Sequence, residues 1–294
     1  MVKIKHVIII FIILFIILCV CKFFNSTTKI IELNDNNKLF YHDKIVNFEN
    51  KLSNWYPIGN DYFKIDHGNN YYSFFERLGN MNMVVAVDKD KVVGTGCGIL
   101  RNIQLNTNYT KNDLVWYICD LKIDPKYRGK HIPLKMLTNS FNKIIYSNKI
   151  YAITMDNKNK DNKILRLAKN IPIVKFKNAG KLMIYSVDYE TLNKIIHILN
   201  KHRGPISYLS LNGTKDLTLK SNNEHLPILH LQWGNSKTNI LYPIVGYTYM
   251  FCCPRNDPMY YELKNNYVKT NITATIIQHS MDNTDWKFIL TSDI

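Results

Sequence analysis

A mixed α/β sheet with helices on both faces is the fold class that this 294-residue chain predicts. Three observations carry that prediction. Apolar runs of strand length alternate with short amphipathic helical stretches between residues 59 and 188. One of those strands runs through a basic, glycine-containing loop straight into a helix. The composition, 46% hydrophobic and 21% charged, is that of a chain able to bury a sizeable core.

The chain opens on fifteen uninterrupted apolar residues, VIIIFIILFIILCVC at 7–21, between Lys3, Lys5 and His6 on one side and Lys22 on the other. Such a run belongs in a membrane or in a removed signal peptide. Ile4, Phe23 and Phe24 lengthen it, and no small-x-small cleavage site follows. The sequence therefore predicts a single-pass N-terminal transmembrane anchor over 1–24, touching lipid through 4–24. Flanking charges leave the side of the membrane open. Residues 25–58, rich in Asn and Lys, read as a stalk with a mildly helical patch near Ile45 to Trp55.

From Asp61 to Gly79 the aromatic residues Tyr71, Tyr72, Phe74 and Phe75 predict a short helix stopped by Gly79. Met83 to Val87 is a continuous apolar strand, Asp88 to Lys91 a charged turn, and Lys91 to Leu100 the returning strand. Gly94, Gly96 and Gly98 share one face of that return, a bareness that marks either close packing or ligand access.

The most informative stretch is WYICDLKIDPKYRGKHIPLKMLTNSFNKIIYS, Trp116 to Ser147. Trp116 to Ile123 reads as a buried strand, Asp124-Pro125 as a turn, Lys126 to His131 as a basic loop, and Ile132 as the start of a helix. Leu134, Leu137, Phe141, Ile144 and Ile145 give that helix an apolar stripe. Unpaired amides at a helix N-terminus and the positive end of its dipole suit a phosphate. A solvated basic turn would look the same in isolation.

Leu121-Lys122-Ile123-Asp124-Pro125 followed by Tyr127-Arg128-Gly129-Lys130-His131-Ile132 resembles motif A of the GNAT superfamily of acyl-CoA-dependent N-acyltransferases. The likeness departs at His131 and Pro133, where that family has glycine and then glycine or alanine; Pro133 removes one backbone donor. The resemblance implies a GNAT-like domain over 59–188 and acetyl-CoA as co-substrate. It implies that Leu121, Ile123, Arg128, Gly129, Lys130, His131 and Ile132 hold the cofactor. It also implies acetyl transfer to an amine whose identity the sequence does not give.

For catalysis the resemblance points to a carboxylate on the strand before the loop, which makes Asp120 the candidate base or acceptor anchor. A structural ion pair with a neighbouring lysine is the competing reading. Cys119 stands where a glutamate occurs in some members, and no tyrosine lies between Tyr151 and Tyr185 to serve as the acid. Two alternatives follow: a catalytically degenerate GNAT-fold protein binding acyl-CoA or a protein partner, and a purely structural membrane protein. No metal-ligand spacing is present.

Downstream, the pattern predicts a strand at Lys149 to Met155, a helix at Asn162 to Asn170, a strand at Lys181 to Val187, and a helix capped by Asp188 that ends at Gly204-Pro205. Strand-like runs follow at Ile228 to Trp233, Ile240 to Met250, Ile272 to His279 and Trp286 to Leu290. They define an additional C-terminal α+β domain over 189–294, separate or extending the first sheet. The six cysteines read as small hydrophobes, with the Cys252-Cys253 pair unexplained. Residues 190–294 hold ten Lys/Arg against eight Asp/Glu, so +13 of the net +15 falls in 1–189. Lysines are scattered there, which argues against nucleic acid as the partner.

Overall fold

The computed structural model describes residues 27–52, 55–58, 61–105, 112–140, 143, 147–156, 163–169, 171, 174–234 and 242–294. They fall into two compact units, one within 1–52, 82–97 and 120–143, the other within 53–81, 98–119 and 144–294. The class is mixed α/β, as the alternating pattern predicts.

In the first unit, β1 (Lys29–Glu32) pairs antiparallel with β4 (Asn80–Asp88), from Lys29↔Val87 to Glu32↔Val84. Helix α1 (Lys38–Leu52) buries Tyr41, Ile45 and Phe48, positions spaced to face one side. Within the polar stalk expected over 25–58, Lys29–Glu32 and Lys38–Leu52 are thus a strand and a helix of this unit. An apolar residue every third or fourth position suffices to bury a helix whose average composition is polar. β4 turns into β5 (Lys91–Ile103) through Lys89 and Asp90, both at positive φ, +46° and +64°, the paired left-handed geometry that matches strand twist in a two-residue hairpin. The order continues to β6 (Asp113–Ile123) and helix α3 (Ile132–Asn139).

Ile132 and Met136 of α3 pack on Val84, Ala86 and Val93. Each contributes roughly 1.5–3 kcal/mol by leaving water. A Cβ on Gly94 would stand 2.7 Å from Ile123 Cδ1 and 3.1 Å from the Lys122 carbonyl oxygen; one on Gly96 would stand 3.4 Å from Met136 Sδ. The bare face of β5 therefore receives side chains of β6 and α3.

In the second unit a three-stranded sheet runs β10-β3-β2, from β2 (Tyr56–Ile58), β3 (Asp61–Asp66) and β10 (Asp216–Leu219). The short helix α2 (Ser73–Glu76) buries Phe74 and Phe75. The large mixed sheet uses β7 (Ile150–Met155), β8 (Lys177–Val187), β9 (Ser207–Leu209), β11 (Ile228–Gln232), β12 (Thr248–Pro254) and β13 (Ile272–His279), ordered β6-β7-β13-β8-β12-β11-β9. β6/β7 and β11/β12 are parallel; β13 pairs antiparallel with both β7 and β8. The region expected as an additional C-terminal domain thus places its strand β13 inside the sheet, between β7 and β8. Helix α4 (Lys163–Lys169) follows β7.

Helix α5 (Tyr189–Arg203) begins at Asp188, whose carboxylate accepts from the Thr191 amide at 2.8 Å, and ends at Gly204 with φ +73°. Its Leu192, Ile195, Ile198 and Leu199 join Tyr185, Tyr249 and Phe251 and the Met259 and Leu263 of α6 (Pro258–Asn265) in the main core. Cys252 and Cys253 are buried in β12, opposite Ile184 and Met183. Two expected strands are displaced. Residues 240 and 241 lie outside the described residues and β12 begins at Thr248. Trp286–Phe288 forms a 3-10 turn because Asp285 accepts from the Lys287 amide.

The single-pass membrane localisation is corrected by the helices themselves. Among the described residues no helix is long and apolar enough to cross a membrane. The longest, α1 and α5, have 15 residues each, about 22 Å at 1.5 Å per residue, and a span needs about 20 apolar residues. The run at 7–21 lies outside the described residues.

Candidate active site

Six residues before the loop, β6 departs from a regular strand. Asp120 has φ +53°, in the left-handed region that costs a non-glycine residue of order 1–3 kcal/mol and is least unfavourable for Asp and Asn. Its carbonyl accepts from Thr95 Oγ1 at 3.0 Å, and its carboxylate, 5% exposed, sits 2.6 Å from Lys122 Nζ. Lys122 also donates to Glu49 of α1. Burial works against the Lys122 ammonium, but the Asp120 and Glu49 carboxylates more than offset it and hold its pKa above the ordinary lysine value. The residue that the sequence offers as a base is thus one arm of a buried Asp120–Lys122–Glu49 triad. The lysine two positions along the strand was visible in the sequence; Glu49, seventy-odd positions away, was not.

Past β6, Asp124 organises the turn. Its carboxylate accepts from the Lys126 amide at 2.8 Å, its carbonyl accepts from Tyr127 N at 2.8 Å, and its own amide reaches the Val93 carbonyl at 2.9 Å. Arg128 is extended, Gly129 takes φ +80° with open space where a Cβ would be, and His131 takes φ +56°, ψ +21°. His131 therefore adopts the backbone conformation that glycine favours, at the position where the resemblance has glycine. Pro133 sits in the first turn of α3, where a missing N–H costs least.

The amides of Gly129, Lys130, His131, Ile132 and Leu134 have no acceptor among the described residues. These donors precede or open an eight-residue helix that has no acidic residue in its first turn. Arg128, Gly129, Lys130 and His131 are exposed, whereas the Ile132 side chain is buried and only its backbone is available. Lys130 Nζ lies 4.4 Å from the Tyr127 ring centroid, and Tyr127 donates its hydroxyl to Asp88 at 2.7 Å. That hydrogen bond, with some burial, holds the Tyr127 hydroxyl above the usual phenol range.

Leu121 and Ile123 point into the packing of β5 and α3, so any cofactor contact they make is through backbone. The parallel ladder between β6 and β7 covers Trp116↔Ile150, Tyr117↔Tyr151 and Ile118↔Ala152 and ends there, while β6 continues to Ile123. The structure thus gathers Asp120 and the seven expected cofactor residues into one strand, loop and helix start. Among the described residues no His, Cys, Asp and Glu cluster suits a metal ion.

No protein-family profile matches the chain. The chain is similar to the uncharacterized protein L340 of Acanthamoeba polyphaga mimivirus, with 29% identity over 233 residues, 77% of this chain and 68% of that protein. Among solved structures it is similar to Arabidopsis thaliana Naa50 in complex with the bisubstrate analogue CoA-Ac-MVNAL (TM-score 0.35, 16% identity, 53% of this chain, 87% of that one). It is also similar to a GNAT-family acetyltransferase from Staphylococcus aureus Mu50 (TM-score 0.34, 19% identity, 52% and 86%). A third is the glucosamine-6-phosphate N-acetyltransferase of Arabidopsis thaliana (TM-score 0.34, 14% identity, 50% and 92%).

Proposed function

We propose that this protein is an acyl-CoA-dependent N-acyltransferase that takes acetyl-CoA as co-substrate and acetylates an amine. The observation that carries the reading is the set of five amides between Gly129 and Leu134 that have no acceptor among the described residues. Donors left open beside a helix N-terminus and flanked by Arg128 and Lys130 suit a diphosphate, which brings acceptor oxygens and negative charge together. The backbone of Leu121 and Ile123 would hold the pantetheine arm by strand-like hydrogen bonds.

In the transfer itself, the amine nitrogen attacks the thioester carbonyl, the C–S bond breaks, and the thiolate leaves with a proton. Asp120 would take a proton from the acceptor's ammonium, freeing the lone pair that attacks, or anchor the acceptor. Its pairing with Lys122 Nζ at 2.6 Å fixes the carboxylate in place.

A second reading shares the loop but not the chemistry. Because Asp120 is engaged by Lys122 and no tyrosine lies between Tyr151 and Tyr185, the fold would then bind acyl-CoA without turning it over. The two readings separate in one experiment. Acetyl-CoA at a hundredfold its dissociation constant stabilises the protein by about 2.7 kcal/mol, and the shift in unfolding temperature is expected to vanish in Gly129→Glu. Thiol release with a panel of amines, amino sugars and peptide N-termini then reports turnover. No thermal shift in the native protein removes both readings, and a shift without thiol release leaves the binder.

A further inference from the structure

The second unit holds a recess of about 160 Å³ between β10, β11 and the segments before them, bordered by Lys215, Asp216, His225, His230 and Tyr247 with an apolar wall from Leu217, Leu226 and Pro227. A cavity of about 150 Å³ accepts a benzene ring, so the space suits one small ring or its equivalent. It shares no residue with the acyl-CoA loop and does not depend on that reading.

His230 gives the recess its chemistry. The residue is 3% exposed. Its Nδ1 lies 3.0 Å from Thr291 Oγ1, and the Thr291 hydroxyl donates its one proton to the Met250 carbonyl at 3.0 Å. The ring nitrogen must therefore supply the hydrogen to Thr291, which puts the imidazole proton on Nδ1 and a lone pair on Nε2. Nε2 makes no hydrogen bond to any described residue. Burial first, then the charges of Lys215 and Arg77, push the His230 pKa well below its ordinary value, so the ring stays neutral. That leaves Nε2 an acceptor with no donor from the described residues.

The neighbours decide what matches it. Lys215 and Arg77 disfavour a cationic guest beside His230, and a carboxylate or phosphate dianion has no hydrogen to offer Nε2. The apolar wall favours a compact body over a strongly hydrated one. We propose that this recess binds a compact neutral hydroxyl compound, whose O–H donates to Nε2 of His230 while its carbon frame lies on Leu217 and Leu226.

The probe is phenol, with anisole as a matched ring that lacks the O–H donor. Titrated into the full chain, phenol is expected to move the His230 ring ¹⁵N resonances saturably, and anisole to bind about five- to tenfold more weakly, the worth of one net hydrogen bond. In His230→Phe the two probes should bind alike. The proposal is overturned if anisole binds the native protein as well as phenol does, if phenol leaves the His230 ring resonances unmoved, or if the native imidazole carries its proton on Nε2. The native protein alone decides the first and third outcomes, so misfolding of the variant does not shelter the idea.

Discussion

The loop at 126–131 and the buried cluster around Asp293 use the same groups, cations and hydrogen-bond donors, to opposite ends. In the cluster, Arg101 lies 2.8 Å from the Asp293 carboxylate and donates to the Tyr151 hydroxyl at 2.7 Å, while Arg77 lies 3.7 Å from Asp293 and donates to the Ser292 carbonyl. In the loop, Arg128 and Lys130 are exposed and the amides beside them have no acceptor among the described residues. Groups satisfied by one another hold a fold together, whereas groups held in place and left unsatisfied are ready for something that is not part of the chain. The Asp120–Lys122–Glu49 triad stands between these cases, satisfied internally yet placed directly before the loop.

Substitution should separate the two kinds of region, and the largest effect belongs to the cluster. Asp293→Ala takes the carboxylate away from the buried Arg101 and the partly exposed Arg77 and should destabilise the protein by about 3–5 kcal/mol in denaturant unfolding. A loss under 1 kcal/mol would mean that the cluster is solvated in solution.

Asp120→Asn should behave differently. Glu49 still compensates Lys122, so the acetyl-CoA thermal shift should persist while thiol release falls by about 10²-fold or more. Unchanged turnover would remove Asp120 from the chemistry.

Lys215 sharpens the contrast through pH. Burial first, and then Arg77, lower its pKa from 10.5 to about 7. Between those values the unfolded chain binds the proton that the folded protein does not, so this group makes stability rise with pH from about 7 to 10.5; below 7 its full cost is present. Lys215→Met should flatten that rise, read as unfolding temperature against pH for the two proteins side by side. Identical slopes would place the amine in water.

The smallest effect on the fold is expected at the loop. Lys130→Ala should leave the ligand-free unfolding midpoint unchanged, yet reduce the acetyl-CoA shift and weaken its salt dependence. If the midpoint falls while the shift stays, Lys130 is structural.

How much of this was legible in the sequence varies with the range of the interactions. The helix from Asp188 to Gly204 was readable because its cap, its stripe and its stop are all local. The turn at Lys89-Asp90 and the strand–loop–helix at Trp116 to Asn139 were readable for the same reason. The stalk was misread because the period of Tyr41, Ile45 and Phe48 is faint among polar neighbours. The strand expected at Trp286 to Leu290 failed because a side-chain cap at Asp285 outcompetes apolar propensity. Gly94 and Gly96 were ambiguous until Ile123 and Met136 were seen to fill the space above them.

By itself the sequence determined the local devices: the Pro125 turn, the left-handed-tolerant Gly129, the helix start at Ile132 and the basic residues around them, since each follows from residues within a turn or two. Only tertiary structure decided which strand lies beside which, that β13 enters between β7 and β8, that Glu49 meets Lys122, and that His230 meets Thr291. Those outcomes depend on contacts between residues tens to hundreds of positions apart, and neither periodicity nor propensity carries information over that distance.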